Sequence, residues 1–294
     1  MRVIATFALL ILLATFCAIE PQSQVSAQKQ DETTRKLWDT AFVGGPNKKT
    51  PARRRSNARY RIATPHVPVD NVAPDTVVGV TIWRLRPATR SDSGERLLVH
   101  NDSATTEWLP ERISANTRLK PGDRVRISVE AARSGYLYVI DREQFADGSL
   151  GEPYLIFPTT RTLSGDNQVT VGRLMEIPSQ DDSPPFFTIR RSRPDQVAEV
   201  LSVLVTPTPL EGLAITDKLQ RLSPEQVAVW EKAWSNSVGR LEMSTAGQAW
   251  TREEKDANTR ALTASAPAPQ MLFYRPMVKP TEPMMVKLQL WYRK

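Results

Sequence analysis

The sequence predicts an all-β protein: an Ig-like or Greek-key β-sandwich, or a partly open barrel, with a short helical insertion. Short runs of alternating apolar and polar residues recur from residue 76 onward. Turn signals such as Pro121-Gly122-Asp123, Ser164-Gly165-Asp166-Asn167 and Pro184-Pro185 separate them. The 23 prolines against 13 glycines favour edges, linkers and short elements over long helices. At the centre lies GYLYVIDREQFADGSLGEPYLIFP, residues 135–158. Its two runs, 136–141 and 154–157, are apolar on both faces, so the hairpin they form needs a layer on each side.

The chain of 294 residues is long enough for one sizeable core. Its start reads as an export leader. Arg2 supplies a positive charge, residues 3–19 form an apolar run interrupted by Thr6 and Thr15, and Val25-Ser26-Ala27 offers small residues for a cut after Ala27. The run is short for a membrane span and a cleavage site follows it. Residues 1–27 are therefore expected to be a signal peptide, leaving no transmembrane span after cleavage. The single cysteine, Cys17, follows Phe16 inside this leader, where a lipid-anchored protein would have a small residue. A mature chain without thiols excludes disulfides, cysteine catalysis and Cys-based zinc sites. The expected address is periplasmic or secreted, in a bacterial envelope.

Residues 28–75 read as a short helix followed by a basic, proline-rich linker. Over 31–42, Leu37, Trp38, Ala41 and Phe42 share a helical face, and Gly44-Gly45-Pro46 ends it. Such a helix is too short to stand alone, so it either docks on its own domain, the plainer expectation, or binds a partner. Lys48, Lys49, Arg53, Arg54, Arg55, Arg59 and Arg61 then place seven positive charges in a stretch without acids, which equals the net +7 of the whole chain. The remainder is balanced. The run reads as a solvated tether, or as a surface for lipid headgroups or envelope polysaccharide. Export argues against nucleic acid, and no recognition motif accompanies the charge.

Strands are expected at 77–85, 96–100, 124–130, 136–141, 154–157, 168–171, 174–177, 186–189 and 197–205. In the first, Val78, Val80, Ile82 and Arg84 share a face. In 124–130, Val125, Ile127 and Val129 point inward, while Arg124, Arg126, Ser128 and Glu130 point outward. Beyond Pro209 the period changes. Ser223 caps a helix with Pro224 at its first position, and Val227, Trp230 and Trp234 form its stripe. Tryptophans at this spacing are expected to be core rather than a carbohydrate platform. A more polar helix is expected over 248–262, with Arg252 and Asp256 one turn apart. Residues 210–270 thus form the helical insertion and 271–294 the returning strands of a domain spanning 76–294. The last strand is expected to pair near 77–85.

Little in the chain points to chemistry. His66 lies between prolines, and His100 precedes Asn101 and Asp102 without a serine in a nucleophile-elbow context. Two scattered histidines and no mature cysteine give no transition-metal pattern, and no phosphate-binding glycine motif is present. The acids Asp141, Glu143, Asp147 and Glu152 offer oxygens of the kind calcium takes, but their spacing fits no EF-hand, and a solvated hairpin loop is the simpler reading. Asp141, Asp147 and Glu152 mark the loop of interest. No catalytic, cofactor or metal residue is assigned.

Gly135-Tyr136-Leu137-Tyr138-Val139, Ile156-Phe157-Pro158, Asn167, Val169, Gly172, Ile177-Pro178 and Val205-Thr206-Pro207 follow one another in an order and spacing that resembles a bacterial family catalogued only as domain of unknown function 4384. The resemblance covers about residues 118–210. Thr159 stands where the family usually has asparagine, and the loop 142–153 is longer than usual. The resemblance implies an accessory module, found alone in exported proteins or beside caspase-like peptidase or kinase modules, and it offers no catalytic residues to carry over. The expectation is an exported, non-catalytic interaction module of the bacterial cell envelope. Its partner would be an envelope protein or an anionic envelope polymer. The alternatives are an envelope hydrolase using dispersed carboxylates, or a surface adhesin with the basic tether.

Overall fold

Two β-sheets face each other across an apolar core, as the alternation predicts. The computed structural model describes residues 37, 38, 41, 42, 60–62, 76–101, 104–243, 245–257, 261–263, 266–276, 279 and 281–293, with backbone only at 60–62 and 101. The leader and most of the basic run lie outside the described residues.

The first sheet turns about β2 (Val77–Pro87). One edge of β2 pairs with β14 (Met271–Tyr274) at 77–80 and with β4 (Ala104–Arg112) at 83–87. Its other edge pairs with β5 (Arg124–Ala131) along 78–85. Outward from these lie β13 (Gly239–Met243) and β1 (Tyr60–Ile62) beyond β14, and β3 (Leu97–Asn101) beyond β4. β9 (Leu174–Ile177) and β10 (Phe187–Thr188) flank β5. The second sheet runs β12 (Gln220–Arg221), β7 (Tyr154–Phe157), β6 (Gly135–Phe145), β11 (Gln196–Thr206), β15 (Met284–Trp291), with β8 (Gln168–Val169) also on β6. Two helices follow β11: α1 (Pro224–Trp234) and α2 (Arg252–Asp256). No helix among the described residues is long and apolar enough to cross a membrane.

The doubly apolar hairpin is covered on both sides. Leu137, Val139 and Phe157 meet Val80, Ile82, Ile127 and Val129 of the opposite sheet. On the outer side, Tyr138, Ile140 and Leu155 lie under Val227 and Trp230 of α1. That helix starts where the sequence indicates, with the Ser223 side chain accepting from the backbone N–H of Gln226. Trp230 and Trp234 stack at 5.6 Å, and Trp230 is buried in this layer. Leu37, Trp38, Ala41 and Phe42 are buried against Val77, Leu241, Leu272 and Tyr274, as a docked segment requires. Complete burial of a side chain as large as Trp38 contributes roughly 2–3 kcal/mol.

Gly135 has no room for a side chain, since a Cβ there would lie 2.2 Å from the Thr206 carbonyl oxygen of the neighbouring strand. Gly135→Ala is expected to cost at least the ~1–3 kcal/mol typical of an overpacked core. A urea midpoint equal to that of the unsubstituted protein would show that this strand end is free to shift.

Several expectations are corrected. The final strand does not pair near 77–85: β15 pairs with β11 in the second sheet, and β14 takes the place beside β2. The two returning strands thus divide between the sheets. The inward set Val286, Leu288 and Leu290 reaches the core from the second sheet. Residues 210–270 are not simply helical, because they supply β12 and β13 as well as α1, and α2 spans five residues where a helix over 248–262 was expected. A three-residue strand, β1, lies inside the stretch read as linker. β4 was not expected at all. Its sequence, ATTEWLPER, carries Pro110 and two glutamates, and only its last part is buried.

The largest correction concerns β5. Arg126, Ser128 and Glu130, read as solvent-facing, are buried. Side chains from distant parts of the chain meet them, and Arg126 lies over the Trp250 ring at 5.3 Å. Arg126 pairs with Glu176 at 2.9 Å, and Ser128 accepts from the Trp83 indole at 2.7 Å. Glu130 accepts from the Trp38 indole at 3.2 Å. Arg112 pairs with Glu254, donates to the Ala268 carbonyl at 2.7 Å and lies over the Trp83 ring. Glu254 is held in turn by the capping box of α2 with Thr251. The two buried arginines persist because each faces an acidic partner, and the remaining polar groups because each has a hydrogen bond.

Candidate functional site

Among the described residues, those singled out in the sequence do not come together. Lys48, Lys49, Arg53, Arg54, Arg55 and Arg59 lie outside the described residues, and Arg61 is placed only as backbone in β1. Asp147 closes the hairpin turn by accepting from the backbone and hydroxyl of Ser149. Glu152 pairs with Arg221 at 2.9 Å on the surface. Asp141 is not in the loop, because β6 continues to Phe145. The His100 ring shares a hydrogen bond with Thr105 across the β3–β4 hairpin at 2.9 Å.

Asp141 belongs instead to an acidic patch on the two central strands of the second sheet. It lies opposite Leu201, and Glu143 lies opposite Glu199. Glu199 Oε1 accepts from the Tyr292 hydroxyl at 2.6 Å and from the Gln196 amide at 2.8 Å. Among the described residues, Asp141 Oδ1 and Glu199 Oε2 are enclosed without a hydrogen-bond partner. Burial pushes the Asp141 carboxyl well above the usual carboxylate range, and the neighbouring Glu199 adds to the shift. Burial raises Glu199 too, against the opposing hydrogen bonds of Tyr292 and Gln196. Among the described residues, no three His, Cys, Asp or Glu side chains are placed to hold a metal ion.

At the end of the first sheet lies a basic cleft of about 440 Å³. It is lined by Arg84, Leu85, Arg86 and Pro87 from β2, Trp108 from β4, Arg118, Lys120, Gly122 and Asp123 from the connecting loop, Arg124 from β5, and Arg293. Local structure explains the convergence. Arg84 ends the apolar stripe Val78–Val80–Ile82 of β2, where that face leaves the core. A tight turn presents Lys120: the Asp123 carboxylate accepts from the Lys120 backbone N–H, and Gly122, at φ +92°, donates its N–H to Ile189. Leu119 donates to the Trp291 carbonyl and accepts from the Arg293 N–H, which brings Arg118 and Lys120 beside the last strand.

The cations of this cleft fall into two groups. Arg86 forms a fork with Asp92 at 2.6 and 2.9 Å and also approaches Glu111, and Arg84 lies 3.8 Å from Glu111. Hydrogen bonds from Arg86 hold Asp92 well below the usual carboxylate range, so this wall is fixed and neutralised. Arg118, Lys120, Arg124 and Arg293 have no carboxylate within ion-pair distance among the described residues. Arg124 lies over the rings of Trp108 and Phe186 at 4.0 and 4.5 Å, and Arg118 over Trp291 at 5.0 Å. Cation–π contact holds these guanidinium groups against the rings, and no side-chain N–H of Arg118 or Arg124 has an acceptor among the described residues. A second cleft, near β8 and β9, carries Asp166 and Arg173. Neither cleft carries two acids.

Comparison with protein-family models, curated proteins and solved structures finds no match for this chain. The basic cleft must therefore be read from its own residues. Sequence reasoning missed it because the charge outside 48–61 sums to zero, which conceals a separation of acids and bases in space. One local signal was present: Arg84 falls on the apolar face of an otherwise hydrophobic strand.

Proposed function

We propose that this protein is a non-catalytic binding module of the bacterial envelope that takes an anionic ligand into the cleft between Arg84 and Arg293. The observation that carries this reading is the convergence of Arg118, Lys120, Arg124 and Arg293 on one cleft with only Asp123 among the acids lining it. Cations held close together without counter-charges repel one another, and a bound anion relieves that repulsion. The export leader expected at 1–27 and the resemblance to an accessory family support the envelope setting. The acids expected of a dispersed-carboxylate hydrolase do not meet in either cleft, which favours binding over hydrolysis.

Retention of the mature protein on a dextran sulfate matrix at rising salt tests the reading. Binding is expected at low ionic strength and to weaken as the Debye length falls from ~10 Å at 0.1 M salt. Reversing charge at two exposed positions, Arg118→Glu with Lys120→Glu, is expected to remove most of the retention at moderate salt. Neutralising the run 48–61 should leave a substantial part of it. Retention that follows the 48–61 run alone would overturn this reading in favour of the tethered adhesin.

A further inference from the structure

We infer that the ligand of the basic cleft is a phosphomonoester on a carrier about the size of a monosaccharide. This rests on the anion-binding reading above and names the chemistry of the same site. Charge is the first argument. With Arg84 and Arg86 compensated by Glu111 and Asp92, the four free cations less Asp123 leave three positive charges. A single carboxylate would neutralise one of them, whereas a phosphomonoester carries about −1.5 to −2 at neutral pH and presents three acceptor oxygens.

Donor geometry is the second argument. The side-chain N–H groups of Arg118, Arg124 and Arg293 have no acceptor among the described residues, and contact with aromatic rings holds Arg118 and Arg124 at the cleft. Planar guanidinium forks match the paired oxygens of a phosphate, while Lys120 adds a point charge. Compactness is the third. The cations come from β2, the 118–123 loop, β5 and the end of the chain, and they close on one cleft rather than forming a track. An acidic peptide or polyuronate needs charges spaced along a groove. The volume of about 440 Å³ is far larger than a bare phosphate and lies within the range of small-molecule sites, roughly 300–1,000 Å³.

Titration calorimetry on the mature protein tests this with glucose 6-phosphate, inorganic phosphate and glucuronate, alongside flotation with phosphatidylcholine vesicles with and without phosphatidic acid. Glucose 6-phosphate is expected to bind at least about tenfold more tightly than glucuronate, and Arg118→Gln with Lys120→Gln to weaken it about tenfold or more. Binding to phosphatidic acid vesicles alone, lost in the same variant, would assign the phosphomonoester to a lipid headgroup, keeping the phosphate recognition and overturning the monosaccharide-sized carrier. Glucuronate binding as tightly as glucose 6-phosphate would overturn the phosphate assignment while leaving an anion-binding module. Failure of every phosphomonoester, together with retention on dextran sulfate that depends on Arg118 and Lys120, would do the same. Failure on both would remove the anion-binding reading as well. Arg118 and Lys120 are exposed, so their substitution leaves the core intact.

Discussion

Arg112→Met is expected to destabilise the domain by about 3–5 kcal/mol, the cost of leaving a buried charge without its partner. The Arg112 side chain is 2% exposed and its partner Glu254 6% exposed. The guanidinium also donates to Ala268 and lies over Trp83, so it ties β4 to α2 and to the segment leading into β14. Methionine fills much of the volume but leaves Glu254 facing an apolar wall. For a domain of this size each kcal/mol moves the melting temperature by about 2–4 °C, so a drop of about 10 °C is expected by circular dichroism. Adding Glu254→Gln removes the orphaned charge while keeping the acceptor in the capping box with Thr251. The double variant is therefore expected to recover at least half of the loss, a coupling that only neighbouring groups show. A single variant that melts within a degree or two of the parent would mean that the polar layer is not part of the cooperative fold.

That layer also marks where sequence reasoning stops. Alternation in 124–130 identified β5 and its inward set Val125, Ile127 and Val129 correctly, because burial of that face is dictated within the strand. It could not identify the fate of Arg126, Ser128 and Glu130. Their cover comes from Glu176, Trp38 and Trp83, distant in sequence, and a polar face looks the same whether water or a paired charge meets it. The start of α1 was legible for the opposite reason: Ser223, Pro224 and Gln226 act on one another within four residues. β4 was hidden because Pro110 and the glutamates break its pattern, and its pairing is imposed by β2 and β3. The cleft was least legible. Its cations are contributed by four separate stretches, and only the bridge between Leu119 and Tyr292 brings the last of them near the others.

The same buried acids set the direction of the pH dependence of stability. Burial pushes Glu130 up to about 8, against the opposing hydrogen bond from Trp38 and the charge of Arg112, with Glu254 adding to the rise. Burial also raises Glu176 to about 7 despite Arg126, and Asp141 moves in the same direction. In each case the folded state binds the proton more tightly than the unfolded chain, where the two glutamates titrate near 4.5. Their contribution is complete below that pH and is lost as pH rises through the folded values, so stability is expected to fall between about pH 4.5 and 8. Glu130 alone can account for a few kcal/mol of this, since a tenfold change in proton affinity is worth about 1.4 kcal/mol. Glu130→Gln keeps an acceptor for the Trp38 indole and removes the titration. At pH 5 it is expected to match the parent closely, and at pH 8 to be more stable by about 1–3 kcal/mol, measured as urea midpoints across the range. A variant whose stability falls with pH as steeply as the parent's would show that Glu130 is ionised in the folded state. The proton would then have to be held elsewhere, with Glu176 and Asp141 the next positions to replace.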